Sequence, residues 1–100
     1  MNCEQCISYP DFLRYAKKLG RRFGMPLQRA QVVLCRACGF SGMYELQMHV
    51  KEILPIEFVA LKDWEARLRA EIGSDLDELV SEEERAKWFR YIHCRRHEAE

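Results

Sequence analysis

"CRACGF", residues 35–40, admits two incompatible readings. A C-x-x-C pair followed by glycine and an aromatic residue is the letter pattern of a zinc knuckle. The same six residues also suit the end of an ordinary helix, with cysteine as a small core hydrophobe and Gly39 as the stop. A second pair, Cys3 and Cys6 in "MNCEQC", would complete a set of four thiolates, so the choice depends on what surrounds the motif.

Outward from residue 35, "PLQRAQVVLCRACG" opens with proline at a favoured first-turn position and places Ala30, Val33, Leu34, Ala37 and Cys38 on one helical face. Before it, "PDFLRYAKKLGRRFG" predicts a helix over about 11–23, with Phe12, Ala16, Leu19 and Phe23 inward and Arg14, Lys17, Lys18, Arg21 and Arg22 outward. The short "GMP" break makes the two an antiparallel hairpin. After the motif, "SGMYELQMHVKEILP" predicts a helix from near Ser41 to Pro55, with Leu46, Val50 and Ile53 inward. "IEFVALKDWEARLRAEIG" spaces Phe58, Leu61, Trp64, Leu68 and Ile72 as a helical stripe, and "SDLDELV" suits one short turn. "SEEE" at 81–84 matches a capping box and starts a last helix through Ala86, Phe89 and Ile92. No strand alternation interrupts this pattern. The expected fold is all-α, a single compact bundle of about five helices spanning 1–100 with an N-terminal hairpin, zinc-stabilised if the cysteines bind metal.

In such a hairpin each helix is roughly 20 Å long, and the start of the first lies beside the end of the second. Cys3 and Cys6 would then approach Cys35 and Cys38, and four thiolates are a donor set that structural Zn²⁺ prefers. Against this, cysteine is among the most buried residue types, and all four could be packing or terminal residues. The two readings stay open at the level of sequence. His93 and His97 share a helical face in "YIHCRRH", yet basic residues in a last turn more often complement the helix dipole. Cys94 beside them lacks a placed acid to orient an imidazole, and His49 reads as a surface or satisfied core residue.

One hundred residues suffice for one modest core, and 48% apolar content places the chain among folded domains. The sixteen basic and sixteen acidic residues cancel, which argues against a general nucleic-acid binder. The charges are segregated, however, into basic ends and an acidic middle. With no apolar run of membrane-spanning length and no secretory start, the expectation is a cytoplasmic protein. No phosphate loop, nucleophile elbow or metalloprotease motif appears, so enzymatic function is not expected.

The stretch "DFLRYAKKLGRRFGMPLQRAQVVLCRACGFSGMYEL", residues 11–46, resembles a short helical domain of plasmid-, phage- and other mobile-element-encoded bacterial proteins, sometimes labelled glyoxalase-related. The resemblance rests on a basic amphipathic helix, a helix rich in small residues, and Gly39, Phe40, Met43 and Leu46 after it. It departs from the pattern at Cys35 and Cys38, where Ala and Leu are usual, and at Met43, where Trp is frequent. It implies a helical fold and a mobile-element setting, in which small proteins often inhibit host or defence machinery. It does not imply glyoxalase chemistry, since neither the strands nor the His/Glu ligands of that enzyme are visible.

Two functions follow as expectations. The first is a non-enzymatic protein-binding module, an inhibitor that docks on a host nucleic-acid-handling protein through Asp75, Asp77, Glu78, Glu82, Glu83 and Glu84, acids expected on the side away from the basic hairpin. The alternative is a zinc-stabilised, helix-turn-helix-like DNA-binding regulator using Lys17, Lys18, Arg21, Arg22, Arg29 and Arg36 on phosphates. The latter sits awkwardly with Glu45, which falls where such a motif needs an apolar residue.

Overall fold

The computed structural model describes residues 7–51 and 59–92. Among them are six helices: α1 (Tyr9–Phe23), α2 (Leu27–Ala37), α3 (Met43–Val50), α4 (Leu61–Ile72), α5 (Asp75–Leu79) and α6 (Glu82–Ile92). The all-α expectation holds, the short turn in "SDLDELV" being α5.

Four of these helices close a ring, α1 packing on α2, α2 on α4, α4 on α6 and α6 back on α1. The small α3 leans on α2, and α5 leans on α4. One buried cluster joins them, with Phe12 and Leu19 from α1, Leu34 from α2, Leu46 from α3, Trp64 and Leu68 from α4, Leu76 from α5 and Trp88 from α6. The α1–α2 approach is close because small residues line it. A Cβ at Gly20 would stand 3.0 Å from the Met25 carbonyl oxygen and 3.4 Å from the Ala30 Cβ. On the opposite side of α1, Tyr15 packs on Trp88 of α6 with ring centroids 5.3 Å apart. Trp64 meets Phe89 edge-on at 5.6 Å, tying α4 to α6. Each large aromatic removes on the order of 200 Å² from water, so these two contacts supply much of the force that closes the ring.

The six residues "CRACGF" end α2. The Gly39 N–H bonds to the Arg36 carbonyl at 3.0 Å and the Phe40 N–H to the Cys35 carbonyl at 3.2 Å, while Gly39 adopts φ +98°. That pair of bonds around a left-handed residue is a Schellman stop, which satisfies two carbonyls the helix end would leave open. Phe40 is half-buried and packs 5.2 Å from the His49 ring, turning the chain into α3. Gly39 is doubly required: a Cβ there would lie 2.9 Å from Val59 Cγ2 and 3.2 Å from an Arg67 guanidinium nitrogen. Gly39→Ala is therefore expected to cost the roughly 1–2 kcal/mol of a left-handed alanine plus the displacement of Val59, read as a lowered denaturation midpoint. Gly24→Ala is the control. It shares the positive φ, at +64°, but its Cβ would meet nothing within 4 Å, so it should lose only the conformational part.

Several boundaries differ from the sequence reading. Helix α3 begins at Met43 rather than near Ser41, because Gly42 takes the extended cap position at φ −174°. The Glu45 carboxylate reaches back to accept the Ser41 N–H at 2.7 Å and its hydroxyl at 3.0 Å. Val50 was an inward candidate, but it is 37% exposed, and the buried partner of Leu46 is His49, at 4%. The stripe steps from 46 to 49 rather than to 50, which sends the α3 imidazole under Phe40. Helix α4 begins at Leu61; Phe58 and Ile53 lie outside the described residues. At the start of α6 only half of the capping box forms. The Ser81 hydroxyl accepts the Glu84 N–H at 3.1 Å, but the Glu84 carboxylate is taken by Arg22 instead of returning to Ser81.

Candidate functional site

Cys35 and Cys38 are both buried, at 0% and 1% exposure. Desolvation pushes each thiol up to about 12, so both are protonated at neutral pH. The Trp64 indole N–H, fully buried and without a regular hydrogen-bond acceptor among the described residues, faces Cys38 and pulls its thiol part-way back down. Cys3 and Cys6, the other half of the expected zinc set, lie outside the described residues, as do His93, Cys94 and His97. Among the described residues no three His, Cys, Asp or Glu side chains are grouped to hold a metal.

The six acids split into two groups. Asp77 accepts from Arg69 Nε and Nη2 at 3.1 and 2.9 Å and stands 3.3 Å from Arg85 Nη2. Glu84 takes a bidentate contact from Arg22, at 3.0 and 2.9 Å. These two carboxylates are engaged within the molecule. Asp75, Glu78, Glu82 and Glu83 are exposed and carry no ion pair among the described residues. They lie within four residues of Leu79 in sequence, and Leu79 is 45% exposed. The acids do not all lie away from the basic hairpin, as the sequence led us to expect. Arg22 bridges α1 to α6 and also donates to the Leu79 carbonyl at 2.5 Å, so the acidic edge adjoins the end of α1. The cause is the antiparallel closure of α6 on α1, which aromatic packing imposes and helical periodicity does not encode.

The six basic residues split as well. Arg22 is spent on Glu84, and Arg29 and Arg36 lean on Glu71 of α4 at 4.0 and 3.7 Å. Lys17, Lys18 and Arg21 stay exposed without an ion pair among the described residues. The α3 helix, which a helix-turn-helix would use for recognition, exposes Tyr44, Gln47 and Val50 and has no Lys or Arg between its ends.

A shallow cavity of about 240 Å³ opens beside the start of α1, lined by Tyr9, Gln47, Val50 and Lys51. It holds no carboxylate, thiol or imidazole pair that would work as an acid–base or nucleophilic centre. No protein-family model, no curated protein and no solved structure matches the chain.

Sequence reasoning missed Arg85. Its side chain is only 7% exposed, yet it donates to Glu65 Oε2 at 3.0 Å and to the Val80 carbonyl at 2.7 Å. It is the centre of an ion cluster joining α4, α5 and α6. The only hint in the sequence is its phase, three residues before Trp88 and seven before Ile92.

Proposed function

We propose that this chain is a small non-enzymatic protein-binding module, a mobile-element inhibitor that docks on a host protein or complex handling nucleic acid. The observation that supports this reading most is the α5–α6 segment, in which Leu79 is exposed and so are its sequence neighbours Asp75, Glu78, Glu82 and Glu83. An apolar centre within a charged rim is the anatomy of a protein interface, and the acids complement a phosphate-binding groove on the partner. Asp77 and Glu84 drop out of the contacting set because their carboxylates are already committed within the molecule. The regulator alternative draws no comparable support, since three of its six cations are committed to intramolecular carboxylates.

The test is affinity capture from host cytosol with immobilised protein, comparing the parent with Asp75→Lys/Glu78→Lys, Glu82→Lys/Glu83→Lys and Leu79→Asp. A partner enriched on the parent should be lost from each variant, a weakening of more than about tenfold, while melting temperatures stay within a few degrees because exposed acids at a helix start contribute little. Equal recovery on all variants would remove this edge from the interface. A nanomolar, sequence-selective DNA shift by the parent would promote the regulator reading instead.

A further inference from the structure

The closure of α6 on α1 brings together two rows of cations that lie more than sixty residues apart in sequence. The Ser8 N–H bonds to the Ile92 carbonyl at 2.9 Å, Tyr15 packs on Trp88, and Arg22 pairs with Glu84. As residue numbers rise on α1 their partners on α6 fall, so the two helices are antiparallel and in a fixed register. On the outer face of α1, Arg14, Lys17, Lys18 and Arg21 recur at helical spacing, all exposed. On α6, the helix that closes against α1, Lys87 and Arg90 are exposed too, four and seven residues on from the exposed Glu83. Interpolated between those three pairs, Lys87 falls near the level of Lys18 and Arg90 between the levels of Asp11 and Arg14.

Two of the α1 cations are also held in place. The Arg14 guanidinium and the Lys18 ammonium each lie 5.3 Å from the centre of the Tyr15 ring, at the seam where that ring meets Trp88. Cation–π contact thus holds two charges along the seam rather than leaving them to wander. Lys17, Lys18, Arg21, Lys87 and Arg90 have no ion pair among the described residues, and Arg14 has only its neighbour Asp11.

From this placement we infer that the α1–α6 face is a second contact surface, one that binds the phosphate backbone of a nucleic acid without reading its sequence. The composition of the face selects that partner. The exposed large apolar residues Leu27, Tyr44, Val50 and Leu79 lie on other elements, so the face has no anchor for a protein interface and nothing to insert into a membrane. Its aromatic rings are covered in whole or in part, Tyr15 at 4% exposure and Tyr91 half-buried, so no ring stands fully open for an unpaired base to stack on, which favours duplex backbone over single strands. Charge alone remains, and a polyphosphate is the ligand that charge alone can hold. This inference does not rest on the acidic edge; together the two surfaces would let the chain sit on a protein and on the nucleic acid that protein handles.

The experiment is fluorescence anisotropy with a labelled mixed-sequence DNA duplex of about two helical turns, over a range of salt. Four or so phosphate contacts predict a Kd on the order of 10⁻⁵ M or weaker at about 150 mM salt, tightening several hundred-fold at about 30 mM, with a log–log slope of about −4. Lys18→Glu with Lys87→Glu, one residue from each side of the seam, should lower the slope by about two and abolish most low-salt binding. Arg29→Glu with Arg36→Glu changes the net charge by the same amount on the face that carries Glu71, and should leave the slope near that of the parent. Circular dichroism and melting confirm that each variant is folded. The inference is overturned if the parent shows no salt-dependent binding, or if both pairs lose it equally, which would reduce the effect to net charge. Tighter capture by polyglutamate or by anionic vesicles, lost in the same Lys18/Lys87 variant, would also overturn it by assigning the face to another class of partner.

Discussion

Replacing Trp64 by alanine is expected to remove about 3–5 kcal/mol of stability, the range for deleting a fully buried large aromatic. A domain of this size holds only about 5–15 kcal/mol in total, so the variant should unfold at low denaturant and be partly unfolded at physiological temperature. Three losses combine at this site. The indole is fully buried at the centre of the ring of helices, it meets Phe89 of α6 edge-on, and its N–H faces Cys38 of α2. Trp64→Phe keeps a ring against Phe89 and should lose less than half as much. The check is denaturant unfolding followed by circular dichroism, since fluorescence would lose one of its reporters. An alanine variant within about 0.5 kcal/mol of the parent would show that the ring of helices does not close on this residue.

Arg85→Ala should be the next most damaging single change, at about 3 kcal/mol, the lower end for breaking a buried ion pair. The lower end applies because Glu65 and Asp77 still reach water, with side chains 17% and 47% exposed. The remainder is the Val80 carbonyl, which loses its buried donor. Arg85→Lys keeps the charge but cannot serve three acceptors in a planar fork, so it should recover only part of the loss. The same cluster gives a pH signature. Hydrogen bonds from Arg69, then the Arg69 and Arg85 charges, hold the Asp77 carboxyl below the ordinary aspartate value of 3.8. A folded-state value below the unfolded one means that its stabilisation is present above that unfolded value and is lost as pH falls through the folded one. Denaturant midpoints should therefore drop between neutral pH and about pH 3 by more in the parent than in Asp77→Asn.

The parts of this molecule legible in sequence are those that local periodicity controls. Phe12, Ala16 and Leu19 are buried as their spacing requires, and α1, α2 and α4 stop at Gly24, Gly39 and Gly73, each with positive φ. What periodicity cannot supply is which helix lies beside which. Glu84 looks like half of a capping box until α6 closes on α1 and gives it Arg22, 62 residues away. Arg85 looks solvated until α4 and α5 bring it Glu65, Val80 and Asp77. Nothing local to Lys87 and Arg90 tells that their helix closes against the basic α1. At His49 and Val50 the error is one position of helix phase, enough to exchange a core side chain for a surface one.

"CRACGF" is a helix stop whose two cysteines are buried in the core. Native-state alkylation at neutral pH in the presence of a strong chelator, with the modified residues located by peptide mass mapping, tests it most directly. If burial alone keeps these thiols at about 12, Cys35 and Cys38 stay unmodified while the protein is folded and react only as denaturant unfolds it. If both react rapidly once chelator is added, and protein purified without chelator carries about one zinc per chain, the residues are a metal knuckle and this account of the motif is wrong.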